Sequence, residues 1–178
     1  MKFILNIDYE AGGREQLTAV FFELDKKIRN LRPLWRNYIL PLLPEIIWKN
    51  FETQGSRLGS PWPPLVPEYE KRKNRLYPGN PINVASGRML TAATALNTPG
   101  NFVYWPTQEG GGGNPSFMIY GIDKTKFRHE YPKFVQDGTS KMPARPFIGL
   151  AKEDIEKITG LVLDWFNIGS VTGGNAPK

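Results

Sequence analysis

Few residues of this 178-residue chain have types and spacings suited to catalysis. There is no cysteine and a single histidine, His129. That excludes disulfides, thiolate metal sites and a cysteine nucleophile, and a metal site would rest on one imidazole plus carboxylates. His129 adjoins Glu130 and Tyr131, the setting of a surface or loop histidine. The carboxylate pairs Asp8/Glu10 and Glu153/Asp154 read as strand-end and helix-start charges rather than an acid/base couple. Gly110 to Gly113 runs into Asn114 and Pro115, yet the Lys-Ser/Thr of a phosphate loop is missing and Pro115 removes an amide donor. No G-x-S-x-G elbow occurs. The expectation is a protein that is not an enzyme and has no catalytic, cofactor or metal site.

Residues suited to binding are easier to find. Lys71, Arg72, Lys73 and Arg75 place four cations in five residues on a short predicted helix, either as a solvated face or as a grip on phosphate or an acidic partner. The net charge of +6 permits either use. Trp62 stands among Pro61, Pro63 and Pro64 on a stiff extended backbone. It is either a plug that tacks the loop to the body or an anchor for a neighbouring subunit. Arg145, clamped between prolines in P-A-R-P-F, is a snorkelling surface residue or a fixed ion-pair partner.

The elements that position these residues follow from periodicity. Lys2 to Tyr9 alternates as a half-buried strand, and Leu17, Val20, Phe21, Leu24 and Ile28 form the apolar stripe of a helix ending near Pro33. Pro41 and Pro44 break the next apolar stretch, so one helical piece should end before Pro41 and another begin with Pro44 in its first turn, anchored by Ile46, Ile47, Trp48 and Phe51. Ser86 is placed to cap a short helix through Arg88 and Ala93. Phe102 to Trp105 and Ser116 to Gly121 read as strands of a long hairpin. Lys124 to Tyr131 reads as one or two helical turns, with a turn at Gln136-Asp137-Gly138. Phe147 to Leu150 reads as a short strand leading into a helix that packs through Ile155, Ile158, Val162 and Trp165.

The predicted class is α+β, a small antiparallel sheet packed by the N-terminal and C-terminal helices, with long Pro/Gly-rich loops. One domain spans residues 1–168, and residues 169–178 are expected to be a flexible tail. No apolar run approaches the roughly 20 residues that cross a bilayer, so neither secretion nor membrane insertion is expected.

P-A-R-P-F-I-G-L before an acidic helix start resembles the C-terminal signature of the phage virion morphogenesis family, the tail-completion proteins of tailed bacteriophages. Trp48 to Gln54 leading into G-S-P-W-P-P-L at Gly59 to Leu65, A-S-G-R-M-L at Ala85 to Leu90, and F-V-Q-D-G at Phe134 to Gly138 fit the same pattern in order. The resemblance implies a structural protein of the virion neck or upper tail, assembled in the host cytoplasm, that completes the tail and helps join it to the head. It implies a ring of identical copies, six with twelve as the alternative, contacting other neck and tail proteins and, transiently, packaged DNA. On that reading Trp62, Tyr77, Trp105, Arg145 and Phe147 are candidate intersubunit anchors. Lys71, Arg72, Lys73 and Arg75 are candidate contacts to an acidic partner or DNA. The competing reading is a basic nucleic-acid-binding accessory protein or a transient assembly factor.

Overall fold

The computed structural model describes residues 22–105 and 118–166. The expected strand Lys2–Tyr9, the first part of the helix expected from Arg14, the glycine run and the tail lie outside these residues. Helix α1 covers residues 22–29. After Asn30 comes a helical rod that the two prolines bend without breaking. A single α-turn at Arg32–Leu34 passes into a π-turn at Trp35–Ile39, a 3₁₀ turn at Leu40–Leu42 and then helix α2, Leu43–Glu52. The expected break before Pro41 is replaced by shifts of hydrogen-bond register. The Trp35 carbonyl accepts from the Leu40 N–H, five residues on, and the Leu40 carbonyl accepts from Leu43, three residues on. Pro44 has no N–H to offer Leu40, so the tighter turn supplies the missing donor. Pro44 does sit in the first turn of α2.

The core gathers where α2 meets helix α4, Arg88–Thr94. Ile47 and Phe51 come from α2, and Met89, Ala92 and Ala93 from α4. Trp62, Val84, Phe127 and Phe147 fill in from the connecting segments. Ala92 and Ala93 are wholly buried, and their small side chains let the two helices approach closely. Trp48 departs from the expected anchoring set, because it faces water on α2 while Ile46, Ile47 and Phe51 face in.

Between these helices in the chain comes α3, Pro67–Leu76. Pro67 opens it where a missing N–H costs nothing, Glu68 and Glu70 occupy its first turn, and Lys73 and Arg75 its last. That is the charge polarity a helix dipole favours. Helix α4 begins without the expected serine cap. Gly87, at φ +77°, takes the capping position and no side chain bonds there.

Strands β1, Asn101–Tyr104, and β2, Ile119–Ile122, pair antiparallel, with Val103 opposite Tyr120. The pair is tied to α4 by side chains that serve the helix's last carbonyls. Asn101 Nδ2 donates to the Ala92 oxygen at 2.9 Å and the Tyr120 hydroxyl to the Ala93 oxygen at 2.7 Å. Two 3₁₀ turns, Lys124–Lys126 and Arg128–Glu130, lead into α5, Tyr131–Asp137. Gly138 then turns the chain at φ +76°. A Cβ there would lie 2.7 Å from the Ala144 nitrogen, so only glycine fits.

The last helix, α6, is Lys152–Phe166. It packs on the π-turn stretch, where Tyr38 and Trp165 meet edge to face at 6.0 Å. Lys27 of α1 donates to the Trp165 carbonyl at 2.9 Å, a cation at the negative end of the helix. Ile158, Val162 and Trp165 are half-buried as the packing face, but Ile155 is exposed. The fold is α+β, as its sequence pattern predicts.

Candidate functional site

The segment from Pro143 to Gly149 runs along the core without joining a sheet, burying Arg145 and Phe147 while Pro143, Ala144 and Pro146 face water. Peptide groups withdrawn from water must find partners, and here side chains take the place of a neighbouring strand. Gln136 Oε1 accepts from the Phe147 and Ile148 N–H groups, each at 3.0 Å, while its Nε2 donates to the Ile148 oxygen at 3.0 Å. Asn50 Nδ2 donates to the Phe147 and Gly149 oxygens. Trp62 Nε1 donates to the Pro146 oxygen at 2.8 Å, with its ring edge-on to Phe51. A Cβ on Gly55, whose φ is +82°, would lie 2.4 Å from that indole. The expected strand at Phe147 to Leu150 is therefore absent because its bonding groups are already engaged.

Arg57 fastens the end of this segment. One guanidinium nitrogen donates to the Ile46 oxygen and Asn50 Oδ1, and the other to Glu153 and, at 2.8 Å, Asp154. Asp154 also accepts from the Ala151 N–H, the backward arm of a capping box at the start of α6. Burial alone would raise the Asp154 pKa, but bonds from Arg57 and Ala151 outweigh it and hold the carboxyl below its ordinary value. The Asp154 bond correspondingly raises Arg57 despite its burial.

Beside this framework opens a cleft of about 520 Å³. Leu65, Val66 and Tyr69 form one wall and Tyr131, Phe134 and Val135 of α5 another, with Met89, Met142 and Pro143 between them. Tyr69 and Lys73 lie four residues apart on α3, which turns both to this side. Lys73 is 4% exposed and Arg145 is 2% exposed, and both line the cleft, with the exposed Lys141 beside them. Among the described residues no carboxylate lines it. Lys73 donates to the Asn80 carbonyl, and Arg145 donates at 2.7 Å to each of the Pro63 and Pro64 carbonyls. Neither makes an ion pair among the described residues. Burial lowers the pKa of both cations, offset in part by the charge of Glu70 on Lys73 and by Tyr69 on Arg145. Burial raises the Tyr131 phenol.

The predicted binding residues thus separate into two groups. Trp62, Arg145 and Phe147 are interior. The bonding and packing of Trp62 and Phe147 are spent within the chain, which puts them in the core, while Arg145, equally buried, also lines the cleft. Tyr77 is exposed, and Trp105 is half-buried with Arg32 over its ring at 5.7 Å. Lys71, Arg72 and Arg75 project from α3 into water, but Lys73 turns inward and leaves the basic face. Asn50 and Arg57 were not singled out by sequence reasoning, since isolated polar residues in ordinary helix or loop settings carry no periodic signal, and Gln136 was read only as part of a turn signal, whereas it lies in α5 and the turn follows at Gly138. His129 is exposed at φ +56°. Among the described residues no cluster of His, Asp or Glu is placed to hold a metal ion, and no helix is long and apolar enough to cross a membrane.

No protein-family profile matches the chain, and no solved structure matches it. The chain is similar to the Mu-like prophage FluMu G protein 1 of Haemophilus influenzae, 26% identical over 115 residues. The match covers 64% of this chain and 65% of that protein, so the chain spans just under two thirds of its relative's length. This chain therefore resembles a phage-related protein.

Proposed function

We propose that this chain is a structural protein of a tailed-phage virion, acting at the neck or upper tail to complete the tail and join it to the head. The similarity to a Mu-like prophage protein carries the phage assignment, and the order of motifs from Trp48 to Phe166 supports the tail-completion reading. The surface supports a role in assembly. Large apolar side chains stand exposed on separate elements: Trp48 on α2, Tyr69 on α3, Phe102, Tyr104 and Ile119 on the hairpin, and Ile155 and Leu163 on α6. A ring of identical copies needs two different patches on each copy, because its contacts are head-to-tail. Exposed apolar faces on different elements are available for such contacts. The mechanism is mechanical, with shape and burial at successive interfaces holding the ring to its neighbours.

Quantitative mass spectrometry of purified particles tests this reading. The chain is expected at a fixed copy number per virion and in isolated tails. Its presence in assembly intermediates but not in finished particles would instead make it a transient assembly factor.

A second reading rests on the outer face of α3. Lys71, Arg72 and Arg75 form an exposed basic strip fit for phosphate contacts. Binding of the free protein to DNA that weakens steeply with salt would favour it.

A further inference from the structure

The cleft between α3 and α5 joins two features. Its walls are largely apolar, yet it is lined by Lys73 and Arg145, both buried, and no carboxylate among the described residues lines it beside them. A cation withdrawn from water with no ion pair among the described residues is costly, and the carbonyls of Asn80, Pro63 and Pro64, with the charge of Glu70 acting on Lys73, answer only part of that demand. An arriving carboxylate would supply the missing charge, and Lys141 at the exposed edge would steer it in. The apolar walls would take up what flanks that carboxylate: Tyr69 and Phe134 are both partly open to solvent and can close over a side chain. The Leu65, Val66, Met89, Phe134, Val135 and Met142 side chains suit an apolar flank better than a run of phosphates.

We propose that this cleft receives a peptide segment of a partner protein in which an Asp or Glu is flanked by aromatic or aliphatic residues. The inference deepens the assembly role proposed above and rests on it for the partner's identity, but its test needs no virion. A random dodecapeptide display library is selected on the full chain, and a recovered peptide is measured by fluorescence anisotropy beside its counterpart with amides for carboxylates.

The expected result is enrichment of carboxylates next to large apolar residues. Affinity should fall about tenfold or more for the amide counterpart and for Lys141→Glu, as for a charge-assisted contact. Phe134→Ala should weaken binding as well. Both substituted residues are exposed, and melting curves confirm that each variant folds. Recovered peptides without carboxylate enrichment, or affinity unchanged in Lys141→Glu, would overturn the proposal. It would equally fall to an oligonucleotide binding with the same Lys141 sensitivity, or to self-association of the chain abolished by Lys141→Glu, which would seat a second copy in the cleft. Failure here leaves the virion role standing, because that role is judged by the chain's presence in particles.

Discussion

Arg57 and Asp154 meet at 2.8 Å with both side chains largely withdrawn from water, so deleting one leaves the other's charge stranded. Arg57→Met should destabilise the fold by about 3 kcal/mol, read from the denaturant midpoint, because an uncompensated buried carboxylate costs more than the pair itself contributes. The pH dependence has a definite sign. The folded-state pKa of Asp154 lies below its ordinary value of 3.8, so as pH falls the unfolded chain takes up this proton first. The pair's contribution is complete above that ordinary value and is lost as pH falls through the lower, folded-state one. The gap between wild type and Arg57→Met should accordingly narrow on acidification below about pH 4. A gap constant down to pH 2 would show that Arg57 acts through its bonds to Ile46 and Asn50 instead.

The segment Pro143 to Gly149 depends on Gln136 of α5 for three backbone hydrogen bonds. Gln136→Leu should cost about 2 kcal/mol or more, because a side chain of similar size leaves buried peptide groups without partners. Hydrogen exchange at the Phe147 and Ile148 amides should accelerate well beyond exchange in α4; equal protection in the variant would mean that water or a local shift replaces the glutamine. This arrangement also marks the limit of what was legible in the sequence. Helices α2, α3 and α6 and the hairpin were readable because each carries its own period or punctuation, such as Pro44 and Pro67 at helix starts. Phe147 to Leu150 read as a strand because apolar content and flanking prolines cannot reveal that Asn50, Trp62 and Gln136 already occupy its peptide groups. The prolines at 41 and 44 suggested a break, whereas shifted hydrogen-bond registers kept the rod continuous. The cleft was illegible for another reason. Its lining comes from four separate stretches, and Lys73 read as one of four equivalent cations until folding turned it inward.

At the scale of the whole molecule, buried and exposed residues divide the work. Trp62 and Phe147 build the body, leaving the cleft lined by Arg145, the hairpin face and the basic strip of α3 for contacts outside the chain. Replacing Lys71, Arg72 and Arg75 together by Glu, and leaving the buried Lys73 alone, should preserve the melting temperature, since the three are exposed. It should nevertheless lower the yield of infectious particles if the strip meets an acidic surface or DNA in the particle. Unchanged yields would make the strip a solvated face. The proposed ring is tested most directly by image reconstruction of the head-to-tail junction of the virion. The neck reading predicts a closed ring of copies at that level, six in number with twelve as the alternative, each fitting the fold described above. Density at the junction with no ring that accommodates this chain would contradict it.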